Sequence, residues 1–118
     1  MNNIKKVLKQ HARTYIKLAE KRFNRLFNVP QIEIIDMGSY AAGTAIFIPW
    51  IVQIDEGVLK QNPEAVLKNT LPHEIAHLID MKLNLYNYVT MKRIPYHGYG
   101  WKTIMKLFNC KPLTYYPN

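Results

Sequence analysis

TLPHEIAHLID, Thr70 to Asp80, places two histidines four residues apart with a glutamate directly after the first. If this stretch is helical, His73 and His77 share one face with Cβ atoms roughly 5–6 Å apart. That spacing lets two imidazoles converge on one ion at about 2.0–2.1 Å each. Glu74 is rotated off the ligand line yet within reach of a water beside the metal. The pattern is H-E-x-x-H, two zinc ligands and a general base. A chain of this composition would contain it by chance about 0.6% of the time. Leu71, Ile75, Leu78 and Ile79 supply an apolar face of their own, leaving the two histidines on another. A single Zn2+ is therefore expected here.

A catalytic zinc needs a third protein ligand and one open position. No glutamate follows Glu74, so a glutamate ligand from a later helix is excluded. The positions after His77 where a third histidine of an extended motif would stand hold Asp80 and Leu83. The remaining donors are His11, Asp80 and His97. His11 lies in a basic segment, and Asp80, one turn beyond His77, suits a role orienting a ligand imidazole. His97 opens HGYGW, where Gly98 and Gly100 permit close backbone approach, and it is the expected third ligand.

Working outward, NPE at Asn62 to Glu64 is a helix start, an Asn cap followed by Pro at the first helical position. The helix it opens carries the quoted stretch. Upstream, QIEIID (Gln31 to Asp36) alternates apolar and polar and predicts a strand, and MGSYAAG a turn. TAIFIPWIVQID predicts one or two more strands interrupted at Pro49, and EGVLKQ a short helical turn. Downstream, NLYNYVTMKRIPY is a linker. In the helix after it, Trp101, Ile104, Met105 and Phe108 form the packing face, with Lys102 and Lys106 pointing away. Trp101 is expected to anchor this helix by packing. The order helix, small sheet, helix, helix predicts one α+β domain over residues 1–118, with a small antiparallel sheet of about three strands.

The first helix is expected over about Asn3 to Phe27, with Ile4, Val7, Leu8, Tyr15, Leu18, Phe23 and Leu26 as its apolar stripe. Of the sixteen Lys and Arg residues, eight stand in the first 25 positions against one acid, Glu20. Lys5, Lys9, Arg13, Lys17 and Lys21 follow one another at four-residue steps, where like charges repel by a few tenths of a kcal/mol per pair. The stripe is either a solvated face or a binding surface for a polyanion, DNA before membrane. Cys110 is the one cysteine, which excludes a disulfide framework and suits a reducing, cytoplasmic setting. The first residues lack the apolar core of a signal peptide.

LPHEIAHLID followed by YHGYGWKTIMKLF resembles the SprT-like metalloproteases over roughly Ile32 to Phe108. His73, Glu74 and His77 match the family's first motif, and His97, Gly98 and Trp101 its second. GSYAAGTAIFIPWIVQIDEGVL resembles the hairpin and strand that lead into its HExxH helix. The resemblance implies a zincin-like core and a zinc peptidase acting on DNA-bound or DNA-crosslinked proteins, with DNA as activator. Departing from many relatives, the sequence runs out at KPLTYYPN without a cysteine-rich zinc module. Glu74 would serve as general base, Tyr40, Tyr96 and Tyr99 are candidates to steady an oxyanion, and an exposed strand edge would take an extended substrate. The alternatives are a DNA-independent regulatory zinc peptidase and a nucleic-acid-binding module with a non-catalytic zinc.

Overall fold

The computed structural model describes residues 2–38, 41–84 and 98–111. It begins with α1, Asn2–Phe23, followed by strands β1 (Gln31–Ile35), β2 (Gly43–Ile46) and β3 (Ile51–Asp55). Next come α2 (Glu56–Gln61), one helical turn α3 (Pro63–Ala65), a π-helical turn (Val66–Thr70), α4 (Leu71–Leu83) and α5 (Tyr99–Leu107).

The class is α+β as expected, but the sheet is mixed. Its strand order is β1-β3-β2, with β1 parallel to β3 and β2 antiparallel to it. The expectation of an antiparallel sheet fails because β3 turns back from β2 and inserts between β2 and β1. The composition of β3 accounts for this. IVQID is almost continuously apolar and buried except at Gln53, the profile of a central strand covered on both faces. QIEII in β1 alternates more openly, as an edge strand does. Gln53 Nε2 donates to Glu33 Oε1 at 2.9 Å across the parallel pair. Between β2 and β3 the strand breaks at Phe47–Trp50 as expected, and Trp50 Nε1 donates to the Asn28 carbonyl at 2.7 Å.

The first helix stops earlier than its stripe predicts. Asn24 takes a left-handed conformation (φ 53°), and Arg25 N–H reaches back to the Glu20 carbonyl at 3.4 Å, the closing bond of a Schellman cap. The Glu20 carboxylate then accepts from Phe27 N–H at 2.9 Å and fixes the exit of the chain. Leu26 thus lies outside the helix and is exposed, as is Leu18. The fully buried residues of the helix are Leu8, Ala12, Ile16 and Ala19, with Ile4, Tyr15 and Phe23 of the expected stripe packed partly buried beside them, so small alanines share the buried face. That face lies across α4 and β1.

Asn62 caps α3 as expected, its Oδ1 accepting from Ala65 N–H at 3.1 Å. Asp55, at the end of β3, caps α2 by accepting from Val58 N–H at 2.9 Å, and it also accepts from Met37 N–H at 2.8 Å. Along α5 and its C-cap Phe108, Trp101, Ile104, Met105 and Phe108 are buried while Lys102 and Lys106 are exposed, as their spacing predicts. No helix among the described residues is long and apolar enough to cross a membrane. The predicted linker after Asn84 lies outside the described residues.

Candidate metal centre

Helix α4 is buried along the whole length of the HExxH stretch. Every residue from Leu71 to Asp80 is buried, so the helix has no solvated face there. Leu71, Ile75, Leu78 and Ile79 join the core shared with α1 and the sheet. His73 and His77 do point elsewhere, but toward α5, where Trp101 closes over them. The His77 ring stacks on the Trp101 indole with centroids 5.3 Å apart and planes at 17°. The His73 ring meets the same indole edge-on at 4.8 Å, and Trp101 Nε1 donates to the His73 carbonyl at 3.3 Å. Trp101 therefore anchors α5, as expected, and walls the site as well.

The two imidazoles converge. Their Nε2 atoms lie 3.1 Å apart, and the rings are set at 68° to one another. Two nitrogens bound to one tetrahedral zinc at roughly 2.0–2.1 Å stand about 3.3 Å apart, so the pair needs almost no rearrangement to share an ion. Glu74 Oε2 is 3.9 Å from His73 Nε2 and just as buried. The donor atoms of His73, Glu74 and His77 all fall within 4.8 Å of one another. Neutral imidazole nitrogens with a neighbouring carboxylate are a donor set suited to zinc. The residues present fit the ion.

Two close approaches shape the surroundings. At Gly43 in β2, an added Cβ would stand 2.8 Å from Thr70 Cγ2, 3.0 Å from the Gln53 carbonyl and 3.4 Å from Glu74 Cγ. Only glycine lets β2 pass this near the first turn of α4. At Gly100 a Cβ would run into Asp80 Oδ1 and come within 3.3 Å of Asp80 Cγ. Asp80 is 2% exposed and accepts from Asn84 Nδ2 at 2.8 Å, which rules out a solvated carboxylate. It lies against the first turn of α5 at Gly100, three residues after His97 in sequence.

His73, Glu74, His77 and Asp80 are thus brought together by one helix. Tyr99 is 87% exposed at the start of α5. His97, Tyr96 and Tyr40 lie outside the described residues. His11 is exposed on α1, as are Lys5, Lys9, Arg13, Lys17 and Lys21. The residues that sequence reasoning missed are Gly43, Thr70 and Asn84. Gly43 carried a readable signal, a glycine opening a strand just before the HExxH helix, whereas Thr70 and Asn84 carried none.

Comparison with known proteins places the chain in a family. The SprT-like family model matches residues 12–117. Protein SprT of Vibrio parahaemolyticus is 33% identical over 91 residues, covering 77% of this chain and 50% of the relative. Protein SprT of Shewanella oneidensis is 33% identical over 97 residues, 81% of this chain and 57% of the relative. Protein SprT of Photorhabdus laumondii is 30% identical over 106 residues, 90% and 46% respectively. The chain spans about half the length of the curated relatives it matches. No solved structure matches it significantly.

Proposed function

The chain belongs to the SprT-like family, and on that premise we propose that it is a zinc-dependent endopeptidase with a zincin-like core, acting on DNA-bound or DNA-crosslinked proteins. The observation that carries this is the 3.1 Å approach of the two Nε2 atoms with the Glu74 carboxylate beside them. His73 and His77 would hold the ion, with His97 as the third ligand. In support, Gly100 and Trp101, which follow His97 closely in sequence, pack against Asp80 and both imidazoles. When bound, zinc supplies a Lewis acid for the scissile carbonyl and lowers the pKa of water towards about 7.

The remaining work falls to side chains. Glu74 takes a proton from the attacking water as its oxygen bonds to the scissile carbon, then returns that proton to the departing amine as the C–N bond breaks. Burial of Glu74 beside the two imidazoles keeps competing solvent away from this proton path. Asp80 and Trp101 hold the ligand face of α4 against α5. β2 is an edge strand whose second edge carries no strand partner among the described residues, and Gly43 brings it beside Glu74. An extended peptide would add to that edge by main-chain hydrogen bonds. Tyr99, exposed at the start of α5, is a candidate to steady the oxyanion, as are Tyr96 and Tyr40 on the sequence pattern alone. The five exposed cations of α1 offer a track for a DNA backbone.

The test compares cleavage of casein and of a DNA-binding protein, with and without single-stranded DNA, by zinc-loaded wild type and Glu74→Gln. Cleavage by wild type, stimulated by DNA and abolished by Glu74→Gln, is the expected result. Cleavage indifferent to DNA would leave a DNA-independent regulatory peptidase. No cleavage under any condition, with salt-sensitive DNA binding intact, would leave a binding module whose zinc is non-catalytic.

A further inference from the structure

The π-helical turn running into α4 has a specific cause. Pro72 stands in the interior of the continuous helical run from Pro63 to Leu83, where it offers no N–H and its ring crowds the carbonyl of Lys68. The chain widens one turn in response, and Leu71 N–H passes over Leu67 to donate to the Val66 carbonyl. The carbonyls of Leu67 and Lys68 thereby lose the amide donors that a regular helix would give them. Both are met from elsewhere in the chain. The Tyr15 hydroxyl, on α1, donates to the Leu67 carbonyl at 3.1 Å. The Cys110 thiol, just after α5, donates to the Lys68 carbonyl at 3.4 Å. Tyr15 is itself held by its ring, which packs on Phe108 at 4.9 Å.

We propose that Tyr15 is a positioning residue for the metal-binding helix: its hydroxyl braces the widened turn and so sets the rotation of His73 and Glu74 about the axis of α4. The turn is equivalent to one inserted residue, which offsets the helix on its two sides by about 100°. Residues Val66 and Leu71 can then both face the core while His73 and His77 face Trp101. Without an outside donor for the Leu67 carbonyl, the widened turn competes with local unwinding, and His73 lies only three residues beyond its last residue, Thr70. Burial, and then the nearby Cys110 thiol, push the Tyr15 pKa up to about 12, so the hydroxyl keeps its proton and stays a donor at every working pH. The brace rests on the metallopeptidase assignment only in its consequence for the ion.

The experiment compares wild type, Tyr15→Phe, Pro72→Ala and the double variant by two readouts. One is amide hydrogen exchange of the metal-free proteins; the other is Co2+ affinity by chelator competition, with the visible spectrum of the cobalt form. Phe keeps the ring packing and removes only the donor. Tyr15→Phe is expected to speed exchange over residues 71–77 about tenfold, leave β3 unchanged, and weaken Co2+ binding about tenfold, the scale found for groups that orient metal ligands. Pro72→Ala restores an amide donor and lets the turn close, so adding Tyr15→Phe to it is expected to change neither readout more than about twofold. Exchange and affinity unchanged in Tyr15→Phe would overturn the proposal. So would a uniform rise in exchange that includes β3, since that is loss of global stability. Wild type that binds no Co2+ would instead overturn the peptidase assignment, with the exchange pattern then deciding the brace by itself.

Discussion

Replacing Gly43 with alanine tests whether the distance between β2 and α4 controls the site. On local propensity alone the change should help, since glycine in a strand is worse than alanine by up to roughly 0.5–1 kcal/mol, less at a strand end such as Gly43. The surroundings oppose it. The new methyl would stand 2.8 Å from Thr70 Cγ2 and 3.0 Å from the Gln53 carbonyl, where carbon atoms normally rest about 3.5–4.0 Å apart. A shift of about 0.7 Å is needed, and neither neighbour yields easily. Gln53 is backbone of the central strand, and Thr70 is a buried β-branched residue in the widened turn. Overpacking of this kind costs about 1–3 kcal/mol, so the net loss is about 1–2 kcal/mol. For a domain of this size that lowers Tm by about 4–8 °C, read by calorimetry or circular dichroism. Activity should suffer more than stability. The same methyl lies 3.4 Å from Glu74 Cγ, and displacement of a catalytic group by about 1 Å costs about 10²-fold in rate. Expected is a 10- to 100-fold fall in kcat/KM on a peptide substrate. Thr70→Ser deletes the methyl in the way and should restore most of both losses when combined with Gly43→Ala. A Gly43→Ala protein as stable as wild type and active within twofold would refute the reasoning, as would a double variant no better than the single one.

Trp101→Ala should cost about 3–5 kcal/mol through the cavity it opens; Trp101→Phe should retain most stability yet weaken Co2+ binding, as chelator competition would show. Asp55 accepts backbone N–H bonds from Met37 and Val58, which hold its carboxyl below the usual carboxylate range. A depressed folded pKa contributes stability in full above the unfolded value of about 3.9, and that contribution is lost as pH falls through the folded pKa. The Tm advantage of wild type over Asp55→Asn should therefore be constant above about pH 5 and shrink below pH 4 in an acid thermal-melt series. Reversing two cations of the α1 stripe, Lys9→Glu with Lys17→Glu, should flatten the dependence of single-stranded DNA affinity on log[salt] by about one to two units, while leaving DNA-free casein cleavage unchanged.

Much of the site was readable from local spacing because a helix converts sequence separation into geometry. His73, Glu74 and His77 needed only an α-helical register to meet, and Asn62 and Pro63 marked where that helical run begins. The packing face of α5 and the basic stripe of α1 followed from the same period. The short strands were visible too, since β1 and β3 have the β-branched composition that a pleated sheet favours. Partnership was what local pattern could not determine. Whether β3 pairs beside β1 in parallel, where Trp101 lies on the imidazoles, why Gly43 must be glycine, and which groups serve the carbonyls that Pro72 releases all depend on residues far apart in the chain. Tyr15 and Leu67 are 52 positions apart, and His73 and Trp101 are 28 apart. Such contacts form only when burial of apolar surface brings whole elements together, and no one-dimensional period encodes them. Helix α4 shows the division. Its histidine pair is a property of eleven consecutive residues, while the burial and the neighbours of that pair come from α1, β2 and α5 closing around it.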